Sequence, residues 1–527
     1  MNLIRYILLC LCTLLPAVSA VGGDTLHVRT QEAFDALPDA LSAHLAPSAE
    51  GEVVVRFGPG TFYYREAHLD LSGVDTKARL TLSGSEGTIL VAAGEEIGTG
   101  EQPEPPCTPD DLFVRTDTSV PQVWHRNGRV VQAAGFPHPV LFRKGLYRIR
   151  CSEPDLPEDA AKDVYVILTQ WFIGAVFKVE KIQNRFLYFR KIRPVRTPLL
   201  SELRFGRCRP RYMLLFPPEK GHPVLHRCIS SAFLSMEKGR LGALVLSGLR
   251  FAGNRNGAPL IRFRKAEGDS LVVRNCVFDG IRSPILVAKS TPDVAFRNNL
   301  VRKCYLGAVH CDYDSARSRV EDNTFLDSGL AFTNAPVVCC QGADFRIVRN
   351  YFEDFTYSAV GVGTHYTETA APTASGEVRD NEICYSDTFR KEVRRTLIDA
   401  GAIYVWTQNK DVRILHNYIH DIAGFHGNRG ILCDDGTVNV TIAGNLILAI
   451  RKSRCIDLRK HLDVERRKDS RIRRVNVGNK MYDNTVDGRC RFYVRRGDPT
   501  GFRGRNRVLK PGYDRAEVVR KWKEEGR

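Results

Sequence analysis

Residues 412–419 read Val-Arg-Ile-Leu-His-Asn-Tyr-Ile, in which apolar and polar residues alternate up to an asparagine at 417. An asparagine followed by any residue and then an apolar one recurs along the second half of the chain, at spacings of 24, 24, 27, 31, 36, 28 and 39 residues. A repeat of a few tens of residues indicates one supersecondary unit stacked on copies of itself. The members of the series are Asn275, Asn299, Asn323, Asn350, Asn381, Asn417, Asn445 and Asn484.

The segments that precede each asparagine indicate what the unit is. Residues 346–349 (Arg-Ile-Val-Arg) and 440–443 (Val-Thr-Ile-Ala) have the period of a strand, and no repeat contains the longer apolar stripe of a helical solenoid. Each repeat is therefore predicted to be one coil of short strands, and the stack to be a parallel β-helix. Asparagine suits the turn because its amide binds backbone groups and because it tolerates a left-handed φ. Stacked amides are expected to form a ladder.

The beginning of the chain predicts export. Residues 1–20 resemble a secretory signal, with Arg5 before an apolar run from Ile7 to Leu15 and a small-residue cleavage site at 18–20. The apolar run is shorter than the ~20 residues of a membrane-spanning helix. We therefore expect a secreted, periplasmic or cell-surface protein, monomeric and without a transmembrane segment. Cysteines at repeat-equivalent strand positions are expected to pack in the core; these are Cys276, Cys311, Cys339 and Cys433.

The repeat divides the chain into regions. Residues 21–100 are predicted to contain an N-terminal cap, which solenoids require, and the first coils. Residues 101–240 lack the asparagine repeat and contain strand-like segments between turn residues, so we interpret them as an inserted β-rich domain. Residues 241–500 are assigned to the main β-helix. Residues 501–527 form a basic tail with a short amphipathic helix from 514 to 525, which we expect to pack on the coils.

The charge of the chain bears on its partners. The formal net charge is +17, and residues 451–527 contain 25 Lys+Arg against 11 Asp+Glu, a net of +14. Such a segment is either a solvated face or an attraction for an anionic partner. In an exported protein the anionic partner would be an acidic glycan or a membrane surface, and we expect no nucleic acid.

The repeat register predicts which side chains stack. Trp406 lies 11 residues before Asn417, and Asp434 lies 11 residues before Asn445, so the two are expected about 4.8 Å apart on successive coils. Tyr404 is paired with residue 432 by the same count. A looser alignment of small and apolar residues extends the outward columns to further positions, namely His310, Asp312, Gly361, Gly363, Asp457 and Arg459.

These columns contain chemistry that suits a sugar polymer. Tyr404 and Trp406 would offer aromatic faces on which sugar rings stack, although the two could instead pack beneath a loop. Hydrolysis of a glycosidic bond requires two carboxylates, and Asp399, Asp434 and Asp435 flank the aromatic pair in sequence. Each has a structural alternative, because Asp435-Gly is a common turn and Asp399 could bind a turn amide. His310, Asp312 and Arg459 are predicted to contact the substrate.

Three motifs resemble those of a known family. They begin at Asp399 (Asp-Ala-Gly-Ala-Ile-Tyr), at Asn417 (Asn-Tyr-Ile-His-Asp) and at Gly430 (Gly-Ile-Leu-Cys-Asp-Asp-Gly). They resemble right-handed β-helix glycoside hydrolases of family 141, to which Trp124-His-Arg-Asn-Gly-Arg is also similar. The resemblance implies an all-β, right-handed parallel β-helix with an inserted β-rich domain. It also implies hydrolysis of a complex polysaccharide, with Asp399 and either Asp434 or Asp435 as the catalytic pair.

Two other functions remain open at this stage. A polysaccharide lyase would need a base and a cation beside a uronate carboxylate, for which Tyr404, His310 and Arg459 are candidates. A non-catalytic glycan-binding protein would need only the aromatic surface. We expect no metal or other cofactor, with calcium as an alternative; the acidic residues closest to a calcium-binding cluster are Asp312, Asp314, Glu321 and Asp322.

Overall fold

The computed structural model describes most of the β-helix and part of the chain between its early coils. The described residues are 25–47, 49–97, 112–115, 122–125, 129–132, 140–143, 146–150, 164–170, 173–184, 186–191, 209–214, 225–228, 230–254, 258–304, 306–329, 335–363, 373–392, 400–422, 429–450, 454–458, 478–487, 491–494 and 505–526.

The coils build three stacks of parallel strands, here called faces A, B and C. Within one coil the chain runs from face A through a turn to face B, then through the asparagine turn to face C. Face A contains Leu69–Asp70, Leu234–Glu237, Ile261–Arg264, Leu286–Lys289, Val309–Cys311, Val338–Cys340, Val360–Gly363, the first parts of Gly401–Leu415 and Arg429–Ala443, Arg454–Leu458 and Arg491–Val494.

Faces B and C continue the same coils. Face B contains Thr25–Val28, Glu52–Phe57, Arg79–Gly84, Ala243–Ser247, Leu271–Arg274, Val294–Arg297, Arg319–Glu321, Phe345–Val348, Ser375–Arg379, the second parts of the two long strands and Lys480–Tyr482. Face C contains Gly60–Tyr64, Thr88–Ala92, Arg250–Ala252, Val277–Asp279, Leu300–Cys304, Thr324–Ser328, Tyr351–Phe355, Glu382–Cys384, Tyr418–His420, Leu446–Leu448, Thr485–Asp487 and Arg507–Leu509. Every pairing in these stacks is parallel, so the predicted parallel β-helix is confirmed.

The stack is continuous across a long stretch of chain. Leu69 pairs with Leu234, Arg79 with Ala243, and Ile89 with Arg250, so the coils on the two sides of that stretch lie directly on each other. Between them the strands are antiparallel. One sheet contains Gly94–Ile97, Leu225–Cys228, Leu112–Arg115 and Gln122–His125. The other contains Arg129–Gln132, Arg209–Leu214, Val164–Gln170, Ile173–Gln183, Phe186–Lys191, Leu146–Arg150 and Val140–Arg143.

A buried ladder of asparagine side chains connects the coils, as predicted. Asn417 is fully buried, and its Oδ1 accepts hydrogen bonds from the backbone N–H of Asn381 at 3.1 Å and from Asn381 Nδ2 at 2.9 Å. Its own Nδ2 donates to Val378 O at 2.9 Å and to Asn445 Oδ1 at 3.0 Å. The same contacts repeat from coil to coil, so each amide satisfies turn groups that burial would otherwise leave without partners. The members are Asn299, Asn323, Asn350, Asn381, Asn417, Asn445, Asn484 and Asn506.

Two details of the predicted ladder are wrong. Val277 pairs with Leu300, which places Cys276 rather than Asn275 opposite Asn299. Asn275 instead occupies the preceding position, which has a left-handed φ of 54°. That preceding residue, and not the ladder asparagine, takes the left-handed conformation throughout, for example at His416 with φ 51°. The reason is that the chain turns one residue earlier, which leaves the asparagine side chain inside the coil.

The core is narrow and regular. Phe251 and Phe278 stack with ring centroids 5.2 Å apart, and Phe325 and Phe352 stack at 4.8 Å. Among the predicted core cysteines, Cys276, Cys311 and Cys433 lie in the main hydrophobic cluster. Cys339 does not, because it pairs with His310 on the outward side of face A, and its neighbour Cys340 takes the core position.

Helices lie at both ends of the described coils. Gln31–Asp35 and Leu37–His44 bury apolar side chains beside the first coils, and Asp387–Glu392 follows a face C strand. The last helix, Arg515–Glu525, packs on face C, where Trp522 Nε1 donates to Gly444 O at 2.7 Å. Within the described part of the chain, no helix is long and apolar enough to cross a membrane.

Candidate functional site

The strands of face A place the predicted aromatic residues and Asp434 together. Tyr404 pairs with Leu432, and Trp406 pairs with Asp434, as the repeat register predicts. Ile403 and Val405 belong to the core, so the alternating side chains of Tyr404 and Trp406 lie on the outward side. The predicted columns place Gly361 on the coil directly after that of His310. In the structure the coil that contains Val338–Cys340 lies between the two, so the predicted columns omit one coil. In the structure the first column contains Arg262, Val287, His310, Cys339, Gly361, Tyr404, Leu432 and Asp457.

Two glycines hold the Trp406 indole against the coil. A Cβ on Gly361 would lie 3.0 Å from the indole and 2.4 Å from Pro336 Cγ, so only glycine fits there. Gly363 has a φ of 146°, and a Cβ on it would lie 3.1 Å from the same ring. Gly361 is therefore required because neighbouring side chains approach its backbone closely. Gly363 is required for the same reason and also because of its positive φ. The indole fills the space that these two residues leave.

Tyr404 connects the indole to the carboxylate. Its ring centroid lies 5.6 Å from that of Trp406, and Tyr357 packs against it edge to face at 5.9 Å. The Tyr404 hydroxyl donates to Asp434 Oδ2 at 3.2 Å. All three side chains of the group Tyr404, Trp406 and Asp434, called the aromatic shelf below, are half-buried. An aromatic surface and an oriented carboxylate thus occupy adjacent coils.

The backbone beside Asp434 is irregular. After Trp406 the pairing slips, so that Gln408 lies opposite Val438, and it returns to register at Val412 and Val440. The buried Thr437 hydroxyl donates to Asp434 O at 2.5 Å and stabilises the irregular segment. Irregular pairing of this kind re-aims side chains and is common next to active sites. The backbone of Asp435 lies in this segment, whereas its side chain is outside the described part of the structure.

A buried ion cluster borders the aromatic shelf. Asp457 is fully buried, and its Oδ2 accepts hydrogen bonds from Arg429 Nε at 2.5 Å and from Arg454 at 2.9 Å. Asp457 pairs with Leu432, which is also fully buried although it lies on the outward side. Face A is therefore covered at the positions of Leu432 and Asp457 and more accessible at the shelf. The sequence places Asp457 in the outward column, but the two arginines that hold it were not predicted.

The remaining predicted site residues lie elsewhere. His310 is exposed three coils before Tyr404, roughly 14 Å away along the stack. Asp312 accepts hydrogen bonds from Ser290 N at 3.0 Å and Ser315 Oγ at 2.8 Å, so it stabilises the turn between faces A and B. Asp399 and Arg459 lie outside the described residues. The structure thus brings Tyr404, Trp406 and Asp434 together and leaves His310 and Asp312 apart from them.

A second polar cluster lies on face C and attaches the last helix. His420 lies 2.8 Å from Asp421 and 3.3 Å from Glu382, and Arg515 of the helix donates to Asp421 at 2.7 Å. Burial opposes a charge on His420, but its hydrogen bonds, with Asp421 first, outweigh burial and raise its pKa to about 11. A histidine that stays protonated cannot serve as a base near neutral pH, so we assign this cluster a structural role. Among the described residues, no group of three or more His, Cys, Asp or Glu side chains is placed to hold a metal ion.

Comparisons with known proteins give only weak similarities. No protein-family model matches the sequence, and no curated protein matches it significantly. The chain is similar to a solved structure described as a glycoside hydrolase, at 11% identity over 88% of this chain and 96% of that chain, with a TM-score of 0.49. It is also similar to XylC in complex with xylose, at 10% identity over 93% and 86% of the two chains (TM-score 0.42), and to the tailspike gp49 from Pseudomonas phage LKA1, at 10% identity over 92% and 74% (TM-score 0.21). No family membership follows from similarities of this size.

Proposed function

We propose that the protein is a glycoside hydrolase that acts on a complex polysaccharide at the aromatic shelf. One observation carries the proposal: the Asp434 carboxylate is held by the Tyr404 hydroxyl directly beside the Trp406 indole, on the outward side of a long straight face. The second carboxylate is assigned to Asp399 or Asp435. Asp399 directly precedes the strand that carries both aromatic rings, and Asp435 directly follows Asp434 in the irregular segment.

The shelf residues have separate roles in this proposal. The two rings bind a sugar through its apolar face, and the hydroxyl of Tyr404 offers a polar contact at the edge. Asp434 accepts a hydrogen bond, as an ionised carboxylate does, which suits a nucleophile or a general base. The partner carboxylic acid would protonate the leaving oxygen. A separation of about 5 Å between the two carboxyl groups would predict retention, and about 6.5–9.5 Å would predict inversion.

The charges near the shelf favour hydrolysis over lyase chemistry. A lyase requires a cation that neutralises the uronate carboxylate while a base removes the neighbouring proton. In the described residues next to the shelf, Arg429 and Arg454 both bind Asp457. Their charge is therefore directed to a buried carboxylate of the protein rather than to a substrate on the outward side.

Digestion of a panel of neutral and acidic polysaccharides tests the proposal. We expect new reducing ends without unsaturated uronate products, and we expect Asp434→Asn to abolish them. Asp411→Asn is the matched control, because Asp411 lies on the same long strand and is exposed. Unsaturated products that persist in Asp399→Asn and Asp435→Asn would replace the hydrolase with a lyase. Glycan binding without turnover in the wild type would leave only a binding protein.

The hydroxyl of Tyr404 can be tested separately from its ring. Tyr404→Phe keeps the packing on Trp406 and removes the hydrogen bond to Asp434. A hydrogen bond to a charged group contributes about 1.5–3 kcal/mol, so kcat should fall roughly 10- to 100-fold. KM should change little, because the stacking surface remains. An unchanged kcat would show that Tyr404 does not orient the reacting carboxylate.

A further inference from the structure

A polar groove lies at the edge of faces A and B, several coils before the aromatic shelf. Its volume is about 780 Å³, and its walls are the turns that connect the two faces in the early coils. Two of these turns pair with each other as a short parallel ladder, Arg240–Leu241 with Glu267–Gly268. The turn of the following coil, at Ser290, also lines the groove. We call this cavity the basic groove.

Three cationic side chains line the basic groove. They are Lys77, Arg240 and Lys265, and all three are exposed. Lys77 approaches Glu50 only at 4.0 Å, with its side chain 83% exposed. Arg240 and Lys265 make no ion pair with any residue that the structure describes. The walls also contain Glu267 and Asp269, whose oxygens can accept hydrogen bonds from sugar hydroxyls.

The face A side of the same coils carries charges of both signs: Asp70 lies near Arg262, and Asp312 and Asp314 accept hydrogen bonds from Ser290. Arg262 is half-buried in the outward column, and Lys289 is exposed at the end of the next strand. None of the described residues that line the groove is aromatic. Stacking of a sugar ring, as proposed for the shelf, is therefore not available here. Cations grouped around a polar cavity are instead suited to a carboxylate or a sulfate.

The groove and the shelf lie along one line of the solenoid. From Arg262 the outward column passes through five pairings to Tyr404, a distance of about 24 Å along the stack. Trp406 and Asp434 lie at the end of their face A segments, beside the turn to face B. The turns that form the groove occupy the same edge. A linear polymer that follows the axis can therefore contact both places at once.

We infer that the basic groove binds an anionic group, a carboxylate or a sulfate, of the glycan chain whose other part occupies the aromatic shelf. The second half of this statement rests on the proposed hydrolase, whereas anion binding by the groove does not. The inference assigns an acidic substrate and an extended binding region rather than a pocket for one terminal sugar. It also gives Glu267 and Asp269 a role, since they limit the net positive charge of the groove and so limit non-specific binding.

Binding measurements with charge-matched ligands test the inference. Calorimetric titration of Asp434→Asn, which we expect to bind substrate without turnover, would use short galacturonate oligomers and their neutral methyl esters. A second arm would use sulfated and unsulfated chondroitin oligomers. We expect the charged member of at least one pair to bind better, with an affinity that falls as salt rises. The arm that shows the preference identifies carboxylate or sulfate as the anion.

Variants of the groove locate the effect. Arg240→Gln combined with Lys265→Asn should weaken binding of the charged ligand about tenfold, since charge-assisted hydrogen bonds are lost, and should leave the neutral ligand unaffected. Asparagine is chosen at 265 because Lys265 has a φ of 50°, which asparagine tolerates. Lys480→Gln, an exposed charge on face B, is the control. Glu267→Gln with Asp269→Asn should strengthen binding, an effect that damage to the fold cannot produce.

Several results would overturn the inference. Equal binding of charged and neutral ligands in both arms would do so, as would equal losses in the groove variant and in Lys480→Gln. Failure of the proposed hydrolase is distinguishable, because groove binding is measured without turnover. If anion binding maps to the groove and no polysaccharide is cleaved, the inference stands and the hydrolase does not.

Discussion

Removal of one asparagine from the ladder should destabilise the solenoid far more than removal of an asparagine beside it. In Asn417→Ala, the backbone N–H and one side-chain hydrogen of Asn381 lose their buried acceptor. Each unsatisfied buried donor costs about 1–3 kcal/mol. The free energy of unfolding should therefore fall by about 4 kcal/mol for these two donors alone, before the cost of the small cavity and of Val378 O, which also loses its donor.

Asn275 supplies the matched control. It has the same sequence pattern as the ladder members, but it is exposed and takes a left-handed φ of 54°. Glycine accepts that φ without strain, so Asn275→Gly should change stability by no more than about 0.5 kcal/mol. Urea unfolding followed by circular dichroism gives both values. Hydrogen exchange of the Asn381 amide adds a local measurement, since that amide should exchange faster only in Asn417→Ala.

Equal effects of the two substitutions would refute the reasoning. They would mean that the asparagines act through local turn propensity, in which case the position within the turn would not matter. A fall of less than about 1 kcal/mol in Asn417→Ala, with unchanged exchange of Asn381, would mean that water or a neighbouring group replaces the lost acceptor. Either result would show that the asparagine ladder is not the main interaction between coils.

Three further substitutions test the shelf, the ion cluster beside it and the polar cluster on face C. Gly361→Ala should displace Pro336 and the Trp406 indole, because the new Cβ would lie 2.4 Å from Pro336 Cγ and 3.0 Å from the ring; near-ultraviolet circular dichroism should change while the far-ultraviolet spectrum does not. Asp457→Asn should cost about 3–5 kcal/mol in urea unfolding, because Arg429 would remain buried beside a neutral group, whereas Arg429→Met combined with Asp457→Leu should cost less. The protonated state of His420 stabilises the fold fully below its unfolded pKa of about 6.5, and this contribution is lost as the pH rises through about 11. His420→Gln should therefore flatten the alkaline part of the stability curve, and an unchanged curve would contradict the assigned pKa.

The pairing of Trp406 with Asp434 can be predicted from the sequence because the register shift between the two strands is reversed before the ladder asparagine. The pairing slips at Gln408 and Val438, yet both strands use six residues to reach the point where it returns, at Val412 and Val440. A count back from the ladder asparagine therefore gives the correct partner despite the irregular segment. The same count cannot reveal the register shift itself, because the irregular segments of the two strands contain equal numbers of residues.

Other features of the structure cannot be recognised from the pattern of residues. The coil at Val338–Cys340 lacks the small-residue signature of its neighbours, so the pattern of residues does not reveal it. The asparagine at 275 satisfies the motif, but only the pairing of Val277 with Leu300 shows that it lies one residue early. The ion cluster at Asp457 depends on Arg429, which lies 28 residues away in sequence. Contacts between coils depend on turn lengths, and turn lengths are the variable part of each repeat.

The regular rise of the coils places such distant residues on the one surface proposed here to bind a glycan. Arg262 and Tyr404 are far apart in sequence, yet five successive pairings fix their separation along the axis. The asparagine ladder fixes that separation, because each coil from Cys276 onward is bonded to the next through a buried asparagine side chain. A polymer that spans the basic groove and the aromatic shelf would therefore meet groups held at a fixed separation, without the entropic cost of ordering a flexible site. In such a molecule specificity depends on which coils carry the cations and the rings, and on how many coils lie between them.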